Sequence, residues 1–153
     1  MKILWLCHLI PGAVKEAATG KKESGLWLDH VLDDLREKGA RIHVICKELD
    51  KTGSVDESCT YSGFHEIYGH KYIPEHEEQF RKELRAFRPD VIHIWGTEYA
   101  HSLAMLKAAG IGVAMINGSD EVKAVADYIT TRDNNHDGVA EAADKFFYEA
   151  AED

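Results

Sequence analysis

The sequence predicts an α/β fold whose sheet is mostly parallel and has about five strands, in the order 3-2-1-4-5. Short apolar runs recur along the chain and alternate with segments in which apolar residues return at helical spacing. Consecutive apolar positions within a run are typical of parallel strands that are covered on both faces. Strands that alternate with helices form right-handed βαβ crossovers, so a three-layer sandwich of helices around a sheet is expected.

Five segments are predicted as strands. The run at residues 2–7 is the clearest, and that at residues 59–68 is the weakest because its apolar residues are less continuous. A polar, turn-rich stretch at residues 47–58 is predicted as a loop. The predicted strands, numbered one to five, cover residues 2–7, 41–46, 59–68, 91–95 and 111–116.

Five helices are predicted, and each has a start or stop signal. Ser24 is a suitable N-cap for the first helix, which Gly39 ends. Pro74 opens the second helix and Pro89 ends it, while Gly110 closes a third over residues 103–109. The last two start at Ser119 and near Asp137, with inward positions at Val122, Val125, Ala126, Val139, Ala142, Ala143, Phe146 and Phe147. The whole pattern is that of a Rossmann-like domain.

Length and composition indicate one globular domain over residues 1–153. The chain is 44% hydrophobic, and no apolar run is long enough to span a membrane. A net charge of -9 disfavours nucleic acids and anionic membranes as partners. The three cysteines, Cys7, Cys46 and Cys59, are far apart and suit reduced, packed thiols, so a cytoplasmic protein is expected.

Residues 1 to about 108 resemble the N-terminal domain of GT-B glycosyltransferases of the family-4 type. The resemblance rests on MKILWLCHLIPG with ESGLWLDHVLDDL, on TYSGFHEIY, and on RPDVIHIWGTEYAHSLAMLKAA. It implies that the loop after the fourth strand faces an acceptor cleft and that the glycine-containing loop near Ser24 approaches donor phosphates.

From about residue 103 the chain resembles the end of Cof-type phosphatases of the haloacid dehalogenase superfamily. MLKAAGIGVAMINGSDEVKAVADYITTRDNNHDGVAEAADKFF carries this second resemblance. The two overlap in one helix, near residues 103–110, which in both families joins one parallel strand to the next. An engineered or recombined chimera is therefore predicted, and one natural, divergent family is the alternative.

Neither family's catalytic set is complete in this sequence. The phosphatase resemblance would require an aspartate nucleophile after the first strand and an acidic magnesium loop, but that strand ends in Cys7-His8. The glycosyltransferase resemblance implies a second, donor-binding domain. We therefore expect a scaffold without enzymatic activity and without catalytic residues or cofactors. The alternative is an acceptor-side domain that binds a sugar or nucleotide sugar weakly and needs a second domain or partner chain for transfer.

A candidate ligand-binding rim is predicted at the carboxyl ends of the strands, where open α/β sheets bind their ligands. His8 and Gly12 lie on this rim as well. The residues predicted to contact a ligand are Ser24, Gly25, Gly96, Thr97, Glu98, Tyr99, His101, Asn117 and Ser119.

Two sets of residues invite a metal interpretation. Residues 133–144 loosely fit a calcium loop, yet the phosphatase resemblance already explains them as a turn and helix start. His65, His70 and His76 match no standard zinc spacing. No metal site is therefore predicted.

Overall fold

A computed structural model describes residues 1–21, 27–65, 72–96, 99–109, 112–133, 135–143 and 145. In chain order the elements are β1 (Lys2–Cys7), α1 (Gly12–Thr19), α2 (Trp27–Glu37), β2 (Arg41–Lys47), β3 (Gly53–Ser54), β4 (Cys59–Phe64), α3 (Pro74–Phe87), β5 (Val91–Trp95), α4 (Ala100–Ala108), β6 (Val113–Ala114), α5 (Asp120–Lys123), β7 (Tyr128–Ile129) and α6 (Gly138–Ala143).

The main sheet has five strands in the order β3-β4-β2-β1-β5. All its pairings are parallel except β3 with β4, which is a short antiparallel edge. The first four predicted strands therefore occupy the order 3-2-1-4, as the alternating pattern indicates. The α/β class and the mainly parallel sheet are confirmed.

The central strands are held by runs of buried residues that are apolar except for His43 in β2. Every residue from Ile3 to Cys7 in β1 is buried, and so is every residue from Ile42 to Cys46 in β2. Because neighbouring side chains of a strand point to opposite faces, these runs give both faces of the sheet mostly apolar side chains.

One face of the sheet packs against α1 and α2. Trp5 lies at the centre of this core, fully buried, and Val14 of α1 and Leu28 and Leu32 of α2 belong to the same cluster. The helix α1 is absent from the sequence prediction, although Pro11 before it and Gly20 after it are ordinary boundary signals. Its buried Val14 and Ala18 also lie one helical turn apart.

The predicted fifth strand lies elsewhere. Val113–Ala114 pairs in parallel with Tyr128–Ile129, in a separate two-stranded sheet. The expectation that residues 111–116 continue the main sheet beside β5 is therefore not met within the described part of the chain. The fifth strand of the main sheet is instead β3, at the opposite edge.

The helix predicted from Ser119 is also shorter than expected. It spans Asp120–Lys123 only, because the chain must turn to bring Tyr128 beside Val113. Val125, predicted to face inward, is 38% exposed, whereas Val122 is buried as predicted.

The chain divides into two compact units, Met1–Lys71 with Lys82–Gly96 and Tyr72–Arg81 with Thr97–Asp153. The expectation of one domain over residues 1–153 stays a prediction. Among the described residues, no helix combines the length and apolar character that crossing a membrane requires.

Candidate functional site

The carboxyl ends of β1 and β5 lie side by side in the first unit, because Cys7 and Trp95 are register partners. His8 follows β1, and its Nδ1 lies 3.1 Å from the carbonyl oxygen of Trp95. A carbonyl oxygen only accepts, so Nδ1 carries the proton and donates it. The side chain of His8 thus ties the loop after β1 to the end of β5.

The start of α1 lies on the same rim and is occupied by a side chain of α2. Gly12 N donates to Asp29 Oδ1 at 2.6 Å. Pro11, the residue before the helix, offers no side-chain cap, so a carboxylate from the next helix supplies one. Negative charge is favourable at a helix N-terminus, and here the protein itself provides it. Sequence reasoning missed this role of Asp29, since its partner is 17 positions away.

Gly96 leads the chain out of β5 with a left-handed backbone, at φ 86°. This places the glycine at the rim, where the sequence predicts it. The rim residues Ser24, Gly25, Thr97 and Glu98 lie outside the described residues.

Three aromatic rings of β1 and β5 lie together near the carboxyl ends of these strands. His93 stacks on Trp95 with ring centroids 3.8 Å apart, and Trp5 meets both rings edge-on. Burial lowers the pKa of His93 to about 4, so its imidazole is neutral at pH 7. Trp5, at the centre of the group, is fully buried.

The other described rim residues belong to the second unit. Tyr99 precedes α4, and its ring stacks on that of His101 with centroids 5.3 Å apart and planes 9° apart. His101 is buried whereas Tyr99 is half-buried. The structure thus brings these two predicted residues together, and of the two only Tyr99 is partly exposed to solvent.

Asn117 and Ser119 lie in the connection between β6 and α5. Asn117 is exposed within a turn closed by Gly118 N donating to Met115 O at 2.8 Å. Ser119 Oγ accepts from Val122 N, so it caps α5 at the helix start that the sequence predicts. Its hydroxyl oxygen therefore has a structural role already.

Acidic side chains of the second unit are engaged with the backbone. Glu141 accepts from the N–H groups of Thr131 and Arg132 at 2.8 and 3.0 Å and from Tyr128 Oη at 2.7 Å. These hydrogen bonds, led by that of Thr131 N, lower the pKa of Glu141 to about 2. Asp127 Oδ2 accepts from Gly112 N at 2.7 Å and fastens the start of β6 to that of β7.

Two features bear on the metal interpretations. In the 133–144 loop, Asp133 Oδ1 accepts from Asn135 N and lies 2.6 Å from His136 Nδ1. His65 lies between Glu48 and Asp50, and these carboxylates raise its pKa. Within the described ranges, no group of three or more His, Cys, Asp or Glu side chains could hold a metal ion. His70 lies outside those ranges.

The three thiols are buried, as predicted. Burial is the main cause that raises the pKa of Cys7, and the same effect raises the pKa of Cys59 to about 11. Thiols with raised pKa values carry little thiolate, which is the nucleophilic form. The thiol of Cys7, at the end of β1, is thus a poor candidate nucleophile.

Comparison with known proteins relates one segment of the chain to a family. Residues 103–142 match the haloacid dehalogenase-like hydrolase family. The chain is also 57% identical over 42 residues to a 5-amino-6-(5-phospho-D-ribitylamino)uracil phosphatase from Bacillus subtilis (strain 168). The aligned residues are 28% of this chain and span only 16% of that phosphatase. The phosphatase-like resemblance of the C-terminal segment is therefore confirmed, while the glycosyltransferase-like resemblance of residues 1–108 stays a prediction.

Proposed function

We propose that this chain is an α/β scaffold, chimeric in origin, that neither transfers sugars nor hydrolyses phosphate esters. The observation that carries the proposal is that side chains at the rim are engaged in structural hydrogen bonds. His8 and Asp29, which lie where an α/β enzyme holds reactive groups, are hydrogen-bonded to Trp95 O and Gly12 N. The neighbouring thiol of Cys7 is buried and has a raised pKa.

The phosphatase-like segment supports the same proposal. Metal-dependent phosphoryl chemistry uses carboxylates that face a cation and its phosphate. In this segment Asp127 and Glu141 instead accept backbone hydrogen bonds, and Asp133 pairs with the following turn. These carboxylates stabilise turns and the short sheet of β6 and β7. The activity named for the similar phosphatase belongs to a protein of which this chain spans 16%.

A chimeric origin is consistent with the helix where the two resemblances overlap. In α4, Ala104, Met105 and Leu106 are buried, so the helix where the two resemblances meet is packed on more than one side. A βα unit can be exchanged where strand direction, crossover hand and apolar faces agree. One natural, divergent family remains the alternative origin.

The second candidate function is weak binding of a sugar or nucleotide sugar, as the glycosyltransferase resemblance implies. The stacked pair of Tyr99 and His101 favours it, because ligand sites are typically lined by aromatic rings with a few polar groups. A half-buried ring alone should give only millimolar affinity, about 4 kcal/mol. That is too little to hold a substrate for reaction.

The test combines turnover with thermal denaturation. The purified chain is incubated with a panel of nucleotide sugars and phosphate monoesters, and we expect no product above the buffer rate. A ligand that binds only the folded state must raise the melting temperature, so the same panel measures binding. Thermal stabilisation that Tyr99→Ala removes and Lys38→Ala keeps would favour the sugar-binding alternative. Turnover that either Glu98→Ala or His8→Ala abolishes would overturn the scaffold proposal.

A further inference from the structure

A histidine in the first unit lies between the hydroxyl of an exposed threonine and a carboxylate. His43 of β2 and Thr60 of β4 are register partners on neighbouring parallel strands. His43 Nδ1 lies 2.8 Å from Thr60 Oγ1, and His43 Nε2 lies 3.3 Å from Glu83 Oε2 of α3. The two contacts thus use opposite nitrogens of one ring.

Thr60, His43 and Glu83 differ in solvent exposure. A reactive site of this kind requires a buried base and a nucleophile near the surface. His43 is only 6% exposed, and the Glu83 side chain is 24% exposed. Thr60 is an exposed residue, next to the short edge strand β3, where Ser54 is its register partner. A base held in the interior therefore contacts the hydroxyl of a residue that lies at the surface.

The carboxylate determines which nitrogen of His43 carries the proton. The hydrogen bond from His43 lowers the pKa of Glu83, and a hydrogen bond from Ser62 lowers it further against the effect of burial. An ionised Glu83 only accepts, so His43 Nε2 carries a proton and donates it. In the neutral ring Nδ1 then has its lone pair towards Thr60, whose O–H donates to it.

Packing keeps the imidazole in this orientation. The Phe87 ring lies over it at a tilt, with centroids 5.4 Å apart. Ser62 Oγ, which is buried, lies 3.2 Å from Nε2, on the same side of the ring as Glu83. If the ring turned Nδ1 away from Thr60, it would lose the contacts of Nε2 with Ser62 and Glu83.

We propose that Thr60 is a nucleophilic hydroxyl which takes an acyl group from an activated ester, with His43 as general base and Glu83 as positioning residue. A hydroxyl next to a base that a third group orients is the arrangement by which proteins activate such nucleophiles. This chemistry is separate from sugar and phosphoryl transfer, and it uses residues away from the rim at the strand ends.

The reaction conserves atoms and electrons without a co-reactant. Thr60 Oγ1 forms a bond to the ester's carbonyl carbon while the bond from that carbon to the aryloxide oxygen breaks. His43 Nδ1 takes the hydroxyl proton and returns it to the aryloxide or to solvent. The products are an O-acylated Thr60 and a phenol. We expect the acyl group to be small, such as acetyl, because Thr60 is the exposed residue of a strand that is otherwise mostly buried.

The test uses 4-nitrophenyl acetate and the full chain. We expect phenolate release that stops after about one equivalent, with one acetyl group located at Thr60 by peptide mass spectrometry. Positioned general bases accelerate reactions about 10²- to 10⁴-fold, so a rate about 10²-fold above that of Thr60→Val is expected. Thr60→Ser should keep the reaction, and Thr52→Val is the matched control because Thr52 is an exposed threonine nearby.

Glu83→Gln separates positioning from structural support. It keeps an acceptor near His43 Nε2 but removes the charge, so we expect acylation at least about tenfold slower. The solvent deuterium isotope effect on acylation should also be lost, while circular dichroism is unchanged. Acetyl groups found on lysines without label at Thr60 would overturn the proposal. So would equal acylation rates in Thr60→Val and the unmodified chain, or in Glu83→Gln and the unmodified chain.

Discussion

The replacement Gly63→Ala should strongly destabilise the first unit, because backbone atoms pass directly over this glycine. Gly63 lies in β4, opposite Cys46 of β2. The chain leaves β2 with a left-handed residue, Glu48 at φ 57°, and then crosses above Gly63. An added Cβ would lie 1.6 Å from the carbonyl oxygen of Leu49.

The geometry sets the size of the effect. Real Cβ atoms essentially never approach another heavy atom closer than 3.0 Å, so the Leu49 carbonyl must retreat by at least about 1.4 Å. Leu49 and Phe64, the residue after Gly63, are both buried. Glu48 N donates to Phe64 O at 2.8 Å. A backbone shift there strains the ladder between β2 and β4. Overpacking typically costs about 1–3 kcal/mol, and a backbone clash belongs at the upper end, about 3 kcal/mol.

Urea denaturation followed by tryptophan fluorescence measures this loss, because Trp5 and Trp95 lie in the same unit as Gly63. For a chain of this length, about 3 kcal/mol corresponds to a melting temperature lower by roughly 6–12 °C. Gly39→Ala is the control, since Gly39 has φ +80° but open space around its Cβ position. It should cost about 1 kcal/mol, from backbone strain alone. A Gly63→Ala loss equal to or below that of Gly39→Ala would refute the reasoning from close approach.

Three further predictions concern ionisable side chains. Asp29→Ala removes the cap on Gly12 N and should lower the free energy of unfolding in urea by about 1 kcal/mol. The control Asp34→Ala changes an exposed carboxylate and should cost under about 0.5 kcal/mol. Equal losses in the two variants would argue against the cap. Burial holds His93 neutral, so between about pH 4 and 6.5 the folded state binds fewer protons than the unfolded state, and the free energy of unfolding falls as pH drops through that window. The fall should be roughly 3 kcal/mol at most and should be absent in His93→Phe. An unchanged pH slope in that variant would contradict burial of His93 as the cause. Glu141 has a lowered pKa, so its contribution to the stability of the fold is present above about pH 4.5 and is lost as pH falls towards 2. Glu141→Gln should remove this acid dependence of the melting temperature. If the acid dependence persists in that variant, another group causes it.

Local sequence determined the elements whose signal lies within a few neighbouring residues. The apolar runs of β1 and β2 predict strands because a parallel strand in a sheet covered on both faces buries consecutive side chains. Gly39 predicts the end of α2 because it adopts the left-handed backbone that closes a helix, at φ 80°. The order of the four parallel strands followed from the crossover rule and not from any pairing motif.

The phosphatase-like segment shows a limit of resemblance. Its sequence predicts a strand at residues 111–116 and a helix from Ser119 that includes Val125, but the strand pairs with β7 and the helix ends at Lys123. Two-residue strands carry no periodicity that a sequence pattern can detect. Their pairing depends on contacts such as that between Asp127 and Gly112 N, 15 positions apart.

Only the tertiary structure decided which polar groups meet. His43, Thr60 and Glu83 belong to three different elements, and each by itself is an ordinary strand or helix residue. Their contacts depend on the register of β2 with β4 and on the docking of α3, as the cap of α1 depends on the position of α2. Local propensity and periodicity are properties of short segments, so they determine elements and buried faces. Distances between side chains remote in sequence are set by how those elements pack, and a local pattern carries no information about them.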